Sequence, residues 1–444
     1  MKNEIAKTSR TGRINPFLPL SVYIPDGEPK IFDGRVYLYG SKDEFGGEYC
    51  SHKYHVYSAP VEDLEEWTDH GPSLASNGDY LLEGIKDGVP WSDSMLWAPD
   101  LTKKGDTYYL FFCLADGSEG VAESNRPEGP FTNARRITMN GVPIVGVDPS
   151  VLEDNGMYYY TWGQGKCHIA RLMDDMCTLD PATYTEALLS NAEGKQGFHE
   201  GSSLRKIRDW YVLVYASEYT IRFPNHKGRP TCLDYAVSKN IYGPYERRGT
   251  IIDNTGIDPQ TWNNHGSIIK IGTQWFVFYH GSSNNSKYTR RARVERIQVD
   301  EENGYIQRAE MTSSGFSESL AIDEELPAAC AYCLWGGAYC TEKEGRFPLV
   351  QVKNETAAAF RYFDLGKTSR DWLLTFKGLC MRDGSITVYA NEMEIAHILL
   401  CPAELFEQSV TLKNLRGLID IKLVFQAEHD QEILELDSIQ LTVR

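Results

Sequence analysis

Three acidic residues carry the densest chemical content of the chain. They are Asp26 in Tyr23-Ile24-Pro25-Asp26-Gly27, Asp148 in Val147-Asp148-Pro149-Ser150, and Glu200 in Phe198-His199-Glu200-Gly201-Ser202. Hydrolysis of a glycosidic bond needs two carboxyl groups, one to protonate the leaving oxygen and one to activate water or attack carbon. A third carboxylate raises the acid's pKa by like-charge repulsion, so the acid keeps its proton at neutral pH. Taken singly, Asp26 and Asp148 read as turn residues, flanked as they are by proline and glycine. A lone Glu200 reads as a capping or surface residue, but Phe198 and His199 beside it favour a pocket wall. Gly201 after it lets the backbone turn sharply next to a ligand. Position ties the three together: Asp26 lies 11 residues before Tyr37, Asp148 10 before Tyr158, and Glu200 11 before Tyr211.

Those tyrosines belong to a recurring element. Aromatic strands are expected at 35–40, 107–112, 157–162, 210–215 and 274–279, several introduced by tight turns such as Asp33-Gly34 and Asn155-Gly156. Each is followed by a partner strand rich in small residues, and two of these lead into Gly-Pro-aromatic, at Gly129-Pro130-Phe131 and Gly243-Pro244-Tyr245. Five such units predict a radial array of antiparallel sheets, a five-bladed β-propeller, in which equivalent positions of successive blades converge on the central axis. Trp97 in Trp97-Ala98-Pro99-Asp100 and His265 in Asn264-His265-Gly266-Ser267 occupy the same level of their units as the three carboxylates. Trp97 either stacks on a sugar ring or closes a blade. His265 either holds a cation, contacts sugar, or packs in the channel. Arg290 and Arg291 are strand neighbours whose side chains alternate, so one is expected to reach the pocket.

After about Ser314 the pattern changes to short alternating strands, as at 357–363, 419–425 and 434–443. The fold class expected is all-β: a propeller catalytic domain over 1–318, then a jelly-roll-like β-sandwich over 319–444. The 444 residues fit two domains, and the formal charge of −17 argues against nucleic acid and anionic membrane surfaces as partners. No apolar run approaches the roughly 18 residues of a membrane span. The N-terminal stretch shows no secretory h-region, and ten scattered cysteines suit free thiols, so a cytoplasmic location is expected. Aromatics make up 12% of the chain, which suits either sugar binding or β-rich packing.

These motifs resemble glycoside hydrolase family 43, five-bladed propeller enzymes acting on arabinose- and xylose-containing glycans. The resemblance spans Asn15 to Thr312 and rests on Asn15-Pro16 with Pro25-Asp26, Trp97-Ala98-Pro99-Asp100, Val147-Asp148-Pro149-Ser150, His199-Glu200-Gly201 and Asn264-His265-Gly266-Ser267. It implies Asp26 as general base, Asp148 as pKa modulator and Glu200 as general acid, with inversion at the anomeric carbon. It also implies calcium in the central channel near His265. Substrate contacts are expected from Trp97, Phe198, His265, Arg290 and Arg291. Two departures stand out: the family's Asp-Pro-Ser after the base is here Asp26-Gly27-Glu28-Pro29, and Gly40-Ser41-Lys42-Asp43 lacks the His that often precedes the Asp. The tail resembles a family 6 carbohydrate-binding module. The expected activity is exo-release of terminal α-L-arabinofuranose from arabinoxylan-type oligosaccharides, with β-D-xylosidase activity beside it. The alternatives are a β-D-xylosidase first of all, or a non-catalytic sugar-binding propeller.

Overall fold

A computed structural model describes residues 12–77, 88–190, 197–218, 231–254, 257, 264–282, 286 and 288–444. The first eleven residues, and Asn284, Asn285 and Lys287 of the polar loop before Arg290, lie outside the described residues.

Each expected aromatic strand is the second strand of an antiparallel sheet. The first sheet is Glu28–Phe32, Arg35–Tyr39, Lys53–Pro60 and Thr68–Ala75; the second is Asp100–Lys104, Thr107–Cys113, Glu119–Ser124 and Thr132–Arg136. The third is built on Ser150–Asp154, Met157–Trp162 and Lys166–Leu172, the last also pairing Thr185–Ser190. The fourth is Gly197–Ile207, Trp210–Glu218, Thr231–Ser238 and Glu246–Ile252, and the fifth Ser267–Ile271, Gln274–Ser282 and Arg290–Ile297. Tight turns with left-handed residues join first and second strands, for example Asp33-Gly34 and Asn155-Gly156. The first strands stand side by side around the axis, and Gly27 pairs in parallel with Gly266, so the fifth blade meets the first.

The aromatic residues mainly fill the spaces between blades. Tyr37, Tyr39, Tyr108 and Phe112 pack between the first and second sheets, and Phe111, Tyr160 and Trp162 between the second and third. Tyr159, Phe198 and Tyr215 pack between the third and fourth, Val212 and Tyr279 between the fourth and fifth. Phe17, Tyr57, Trp67, Phe276 and Phe278 close the ring between the fifth and first. Apolar burial at these five seams is the main force holding the blades together. Small side chains line the axis, where Ser203 Oγ donates to Ser267 Oγ at 2.8 Å.

The remaining strands form two facing sheets. One runs Tyr339–Cys340, Leu349–Val352, Leu434–Val443, Arg370–Cys380, Ala403–Leu415; the other runs Cys333–Trp335, Ala357–Asp364, Leu418–Gln426, Gly384–Ala390, Met393–Leu400. Their inward faces bury Phe360, Trp372, Leu374, Phe376, Ile421 and Leu436 in a cluster that begins at Leu320.

A side chain near the start of the chain secures the fifth blade. Asn15 Nδ2 donates to Val294 O at 2.8 Å, to Glu295 Oε1 at 2.9 Å and to Thr312 O at 3.1 Å, while Asn15 Oδ1 accepts from Val294 N–H at 2.9 Å. Asn15→Ala strands these buried groups, and we expect it to lower unfolding stability by ~2–4 kcal/mol, measured by urea titration of tryptophan fluorescence.

Candidate active site

The three carboxylates leave the first, third and fourth blades at the same end of the axis. Asp26 and Asp148 both take left-handed backbone conformations, with φ of 59° and 56°, and the residue after Glu200, Gly201, has φ of 69°. A non-glycine residue in that region costs about 1 kcal/mol or more and persists where surrounding structure fixes it. The same turn in three blades aims three side chains at one point. At position 201 a side chain is excluded twice, because a Cβ there would also lie 3.0 Å from His265 Cγ.

They line one cavity of about 200 Å³ together with Tyr49, Cys50, Trp97, Ala98, Val147, Gln164, His265 and Arg290. That is smaller than a drug-sized site and suits one sugar ring. Trp97 Nε1 is buried with no hydrogen-bond partner among the described residues, leaving an indole donor in the pocket wall.

The environments of the carboxylates differ. Asp26 Oδ2 accepts from Ser41 Oγ at 2.6 Å and Oδ1 from Arg290 Nη1 at 3.0 Å, and His280 Nδ1 lies 3.3 Å from Oδ1. Burial alone would push the Asp26 carboxyl up, but Arg290, His280 and His265 outweigh it and hold it well below the usual carboxylate range. Arg290 is fixed in turn by Asp43: Nε donates to Oδ2 and Nη2 to Oδ1, both at 2.9 Å. This two-pronged, buried geometry is the strong form of the pair. Asp148 has no such cation. Its Oδ2 accepts from Gly201 N–H at 3.0 Å, and its own N–H donates to Cys113 Sγ at 3.2 Å. Burial first, then the charges of Glu200 and Asp26, push the Asp148 carboxyl up to about 7, against the pull of His265 and Gly201 N–H. Glu200 Oε2 accepts from Gln164 Nε2 at 2.7 Å.

His265 Nδ1 sits 3.8 Å from both Asp26 Oδ1 and Asp148 Oδ2. Burial opposes its protonation, but Asp148, Asp26, Glu28 and Glu200 outweigh it and raise its pKa above the usual imidazole value. Calcium asks for six to eight oxygen ligands. Among the described residues no group of three or more His, Cys, Asp or Glu is placed to hold a metal. The nearby channel carboxylates, Glu28 and Asp100, are already paired with Arg205 and Lys30. These residues do not fit a directly coordinated calcium.

Trp97, His265 and Arg290 therefore reach the pocket as expected, and two other expected contacts do not. Phe198 is buried in the seam between blades, its ring 5.8 Å from that of Tyr215. The register of its strand shifts between Phe198 and Glu200, so this bulge turns Glu200 to the axis and Phe198 away from it. Arg291 is neither in the pocket nor solvated. Its Nε donates to Leu20 O at 3.0 Å, and its guanidinium lies over Tyr23 at 4.9 Å and Phe347 at 5.9 Å. Strand alternation sends Arg290 and Arg291 to opposite faces, and both faces are covered. Sequence reasoning did not assign Ser41, Asp43, Tyr49, Gln164 or His280 to the site. Ser41 and Asp43 lie in a stretch already marked as a departure, and the glycines flanking Gln164 are the one local signal for it.

Residues 15–305 match the profile of glycosyl hydrolases family 43. A xylosidase/arabinosidase of Thermoclostridium stercorarium is 31% identical over 429 residues, covering 84% of this chain and 87% of that one. A family 43 β-xylosidase/α-arabinofuranosidase from a compost metagenome, solved with xylotriose in a calcium-free form, is 26% identical with a TM-score of 0.54, covering 68% of this chain and 98% of that one. An arabinoxylan arabinofuranohydrolase from Bacillus subtilis, solved with cellotetraose, shares the fold along the whole chain: TM-score 0.55, 20% identity, 99% of each chain covered.

Removing one partner of a buried ion pair leaves an uncompensated charge. Asp43→Ala is expected to cost ~3–5 kcal/mol, seen as a lower thermal unfolding midpoint at neutral pH.

Proposed function

The chain belongs to glycosyl hydrolases family 43 and is a glycoside hydrolase, and we propose that it is an inverting exo-enzyme releasing terminal α-L-arabinofuranose from arabinoxylan-type oligosaccharides, with β-D-xylosidase activity as well. The observation that carries this reading is the division of charge in one sugar-sized pocket. Asp26 is kept ionised by Arg290, while burial and the nearby charges of Glu200 and Asp26 push the Asp148 carboxyl up to about 7.

In this reading Asp26 removes a proton from water on one face of the anomeric carbon. The water oxygen bonds to that carbon as Glu200 delivers its proton to the glycosidic oxygen on the other face, and the glycosidic C–O bond breaks to release the alcohol. Asp148 keeps that proton available and orients Glu200 through the Gly201 amide. Arg290 holds Asp26 in place, and the Trp97 indole N–H donates to a sugar hydroxyl. The small pocket, sized for one sugar ring, supports attack on chain ends. The relatives' names pair xylosidase with arabinosidase, which supports both sugars and keeps a primary β-D-xylosidase as the second reading.

We further propose residues 1–318 as the catalytic unit and 319–444 as a carbohydrate-binding-module-like appendage. The separation of the buried cluster beginning at Leu320 supports that division. The absence of a disulfide among the described cysteines supports cytoplasmic work on imported oligosaccharides.

The test is nitrophenol release from nitrophenyl α-L-arabinofuranoside and β-D-xyloside. Wild type is expected to turn over both, and Glu200→Ala to lose about 10²–10⁴-fold in kcat on an unactivated arabinoxylo-oligosaccharide. Equal turnover by the two proteins contradicts the acid assignment. Binding without turnover by folded wild type would identify a sugar-binding propeller instead.

A further inference from the structure

Behind the pocket, the channel of the propeller is filled with charge. Glu28 starts the innermost strand of the first blade, where the family pattern leads to a serine, and it is 1% exposed. Its Oε2 is ion-paired with the Arg205 guanidinium, which comes from the innermost strand of the fourth blade. Arg205 Nη1 also donates to Leu204 O at 3.0 Å. Two residues beyond Glu28, Lys30 Nζ lies 2.6 Å from Asp100 Oδ1 of the second blade. Asp100 also accepts from Leu101 N–H at 2.7 Å and from Val151 N–H at 2.8 Å, the latter in the third blade. Four of the five innermost strands thus meet in one polar network.

Its two cations and two anions cancel. Burial pushes the Glu28 carboxyl up and the Lys30 ammonium down, and the paired groups opposite, Arg205 and Asp100, offset part of that cost. Glu28 Oε1 is buried with no hydrogen-bond partner among the described residues. Gly27, next to Glu28, pairs in parallel with Gly266, next to His265, so the Glu28–Arg205 pair is built on the same backbone junction as His265, which lies 3.8 Å from both Asp26 and Asp148. A divalent cation added here would face a guanidinium and an ammonium inside a weakly screening interior, which opposes its entry.

We propose that Arg205 and Lys30 supply, in this chain, the positive charge that calcium is expected to supply in the channel, and that the Glu28–Arg205 pair positions His265 beneath the carboxylates without any metal. Arg205 and Glu28 are positioning residues: they touch no substrate and act through His265. The turnover arm of the test rests on the glycosidase reading, whereas metal content and unfolding midpoint do not.

The experiment compares wild type, Arg205→Ala and Arg205→Lys. Each is dialysed against EDTA, then assayed with EDTA or with millimolar calcium chloride. Metal content is measured by plasma mass spectrometry, unfolding by calorimetry, and kcat and KM on the nitrophenyl glycosides. Wild type is expected to carry no stoichiometric calcium and to keep the same midpoint and kcat in EDTA and calcium. Arg205→Ala is expected to lower the midpoint by roughly 5–10 °C. It should also reduce kcat with KM little changed, and Arg205→Lys should recover most of both. About one tightly held calcium per chain, whose removal lowers the wild-type midpoint, overturns the proposal. So does an Arg205→Ala protein indistinguishable from wild type. Should Arg205→Ala not fold, the wild-type comparison in EDTA and calcium decides alone. Absence of turnover by stable, metal-free wild type would count against the glycosidase reading and leave this one standing.

Discussion

The arrangement depends on one constraint: several carboxylates must share a buried axis without becoming equivalent. Like charges in a weakly polar interior repel strongly, and burial alone pushes each toward its neutral form. Arg290 breaks the symmetry. It is fixed through both prongs by Asp43 and donates from Nη1 to Asp26. Asp26 is therefore the ionised member, and burial expresses itself instead at Asp148, whose carboxyl is pushed up to about 7. His265, 3.8 Å from both aspartates, keeps the two environments in register.

The propeller makes such a constraint possible to meet. Aromatic seams between blades supply the stabilisation, and the axis is left to polar groups. A left-handed residue at the mouth of the first and third blades, and Gly201 in the fourth, turns each chain so that its carboxyl faces the centre. The backbone strain at those turns is balanced by the contacts they create, including the Gly201 N–H to Asp148 bond. Further down the same axis, Glu28, Arg205, Lys30 and Asp100 solve the burial problem again with their own counter-charges.

Much of this was legible in the chain. The five aromatic strands, each a fixed distance after a chemical motif, pointed to the blades and to the residues that meet at the axis. What could not be read depends on contacts between residues remote in sequence. Asp43 and Arg290 are 247 positions apart, and Glu28 and Arg205 177 apart. Nothing local distinguishes a buried, paired Asp43 from a solvated one. Phe198 misled because a regular strand would put it on the same face as Glu200, and the bulge between them reverses that. The aromatic excess had two readings, and the seams account for most of it.

The division of protonation can be measured most directly as the pH dependence of kcat/KM for wild type and Arg290→Met. Wild type should lose activity as pH rises through about 7, where the Asp148 carboxyl gives up its proton. On the acid side it should stay flat through the ordinary carboxylate range, because Asp26 remains ionised there. Arg290→Met removes the cation that favours the ionised form, so burial should raise the Asp26 pKa and create an acid limb at least ~1 pH unit above any seen in wild type. An acid limb at the same pH in both proteins would contradict the account.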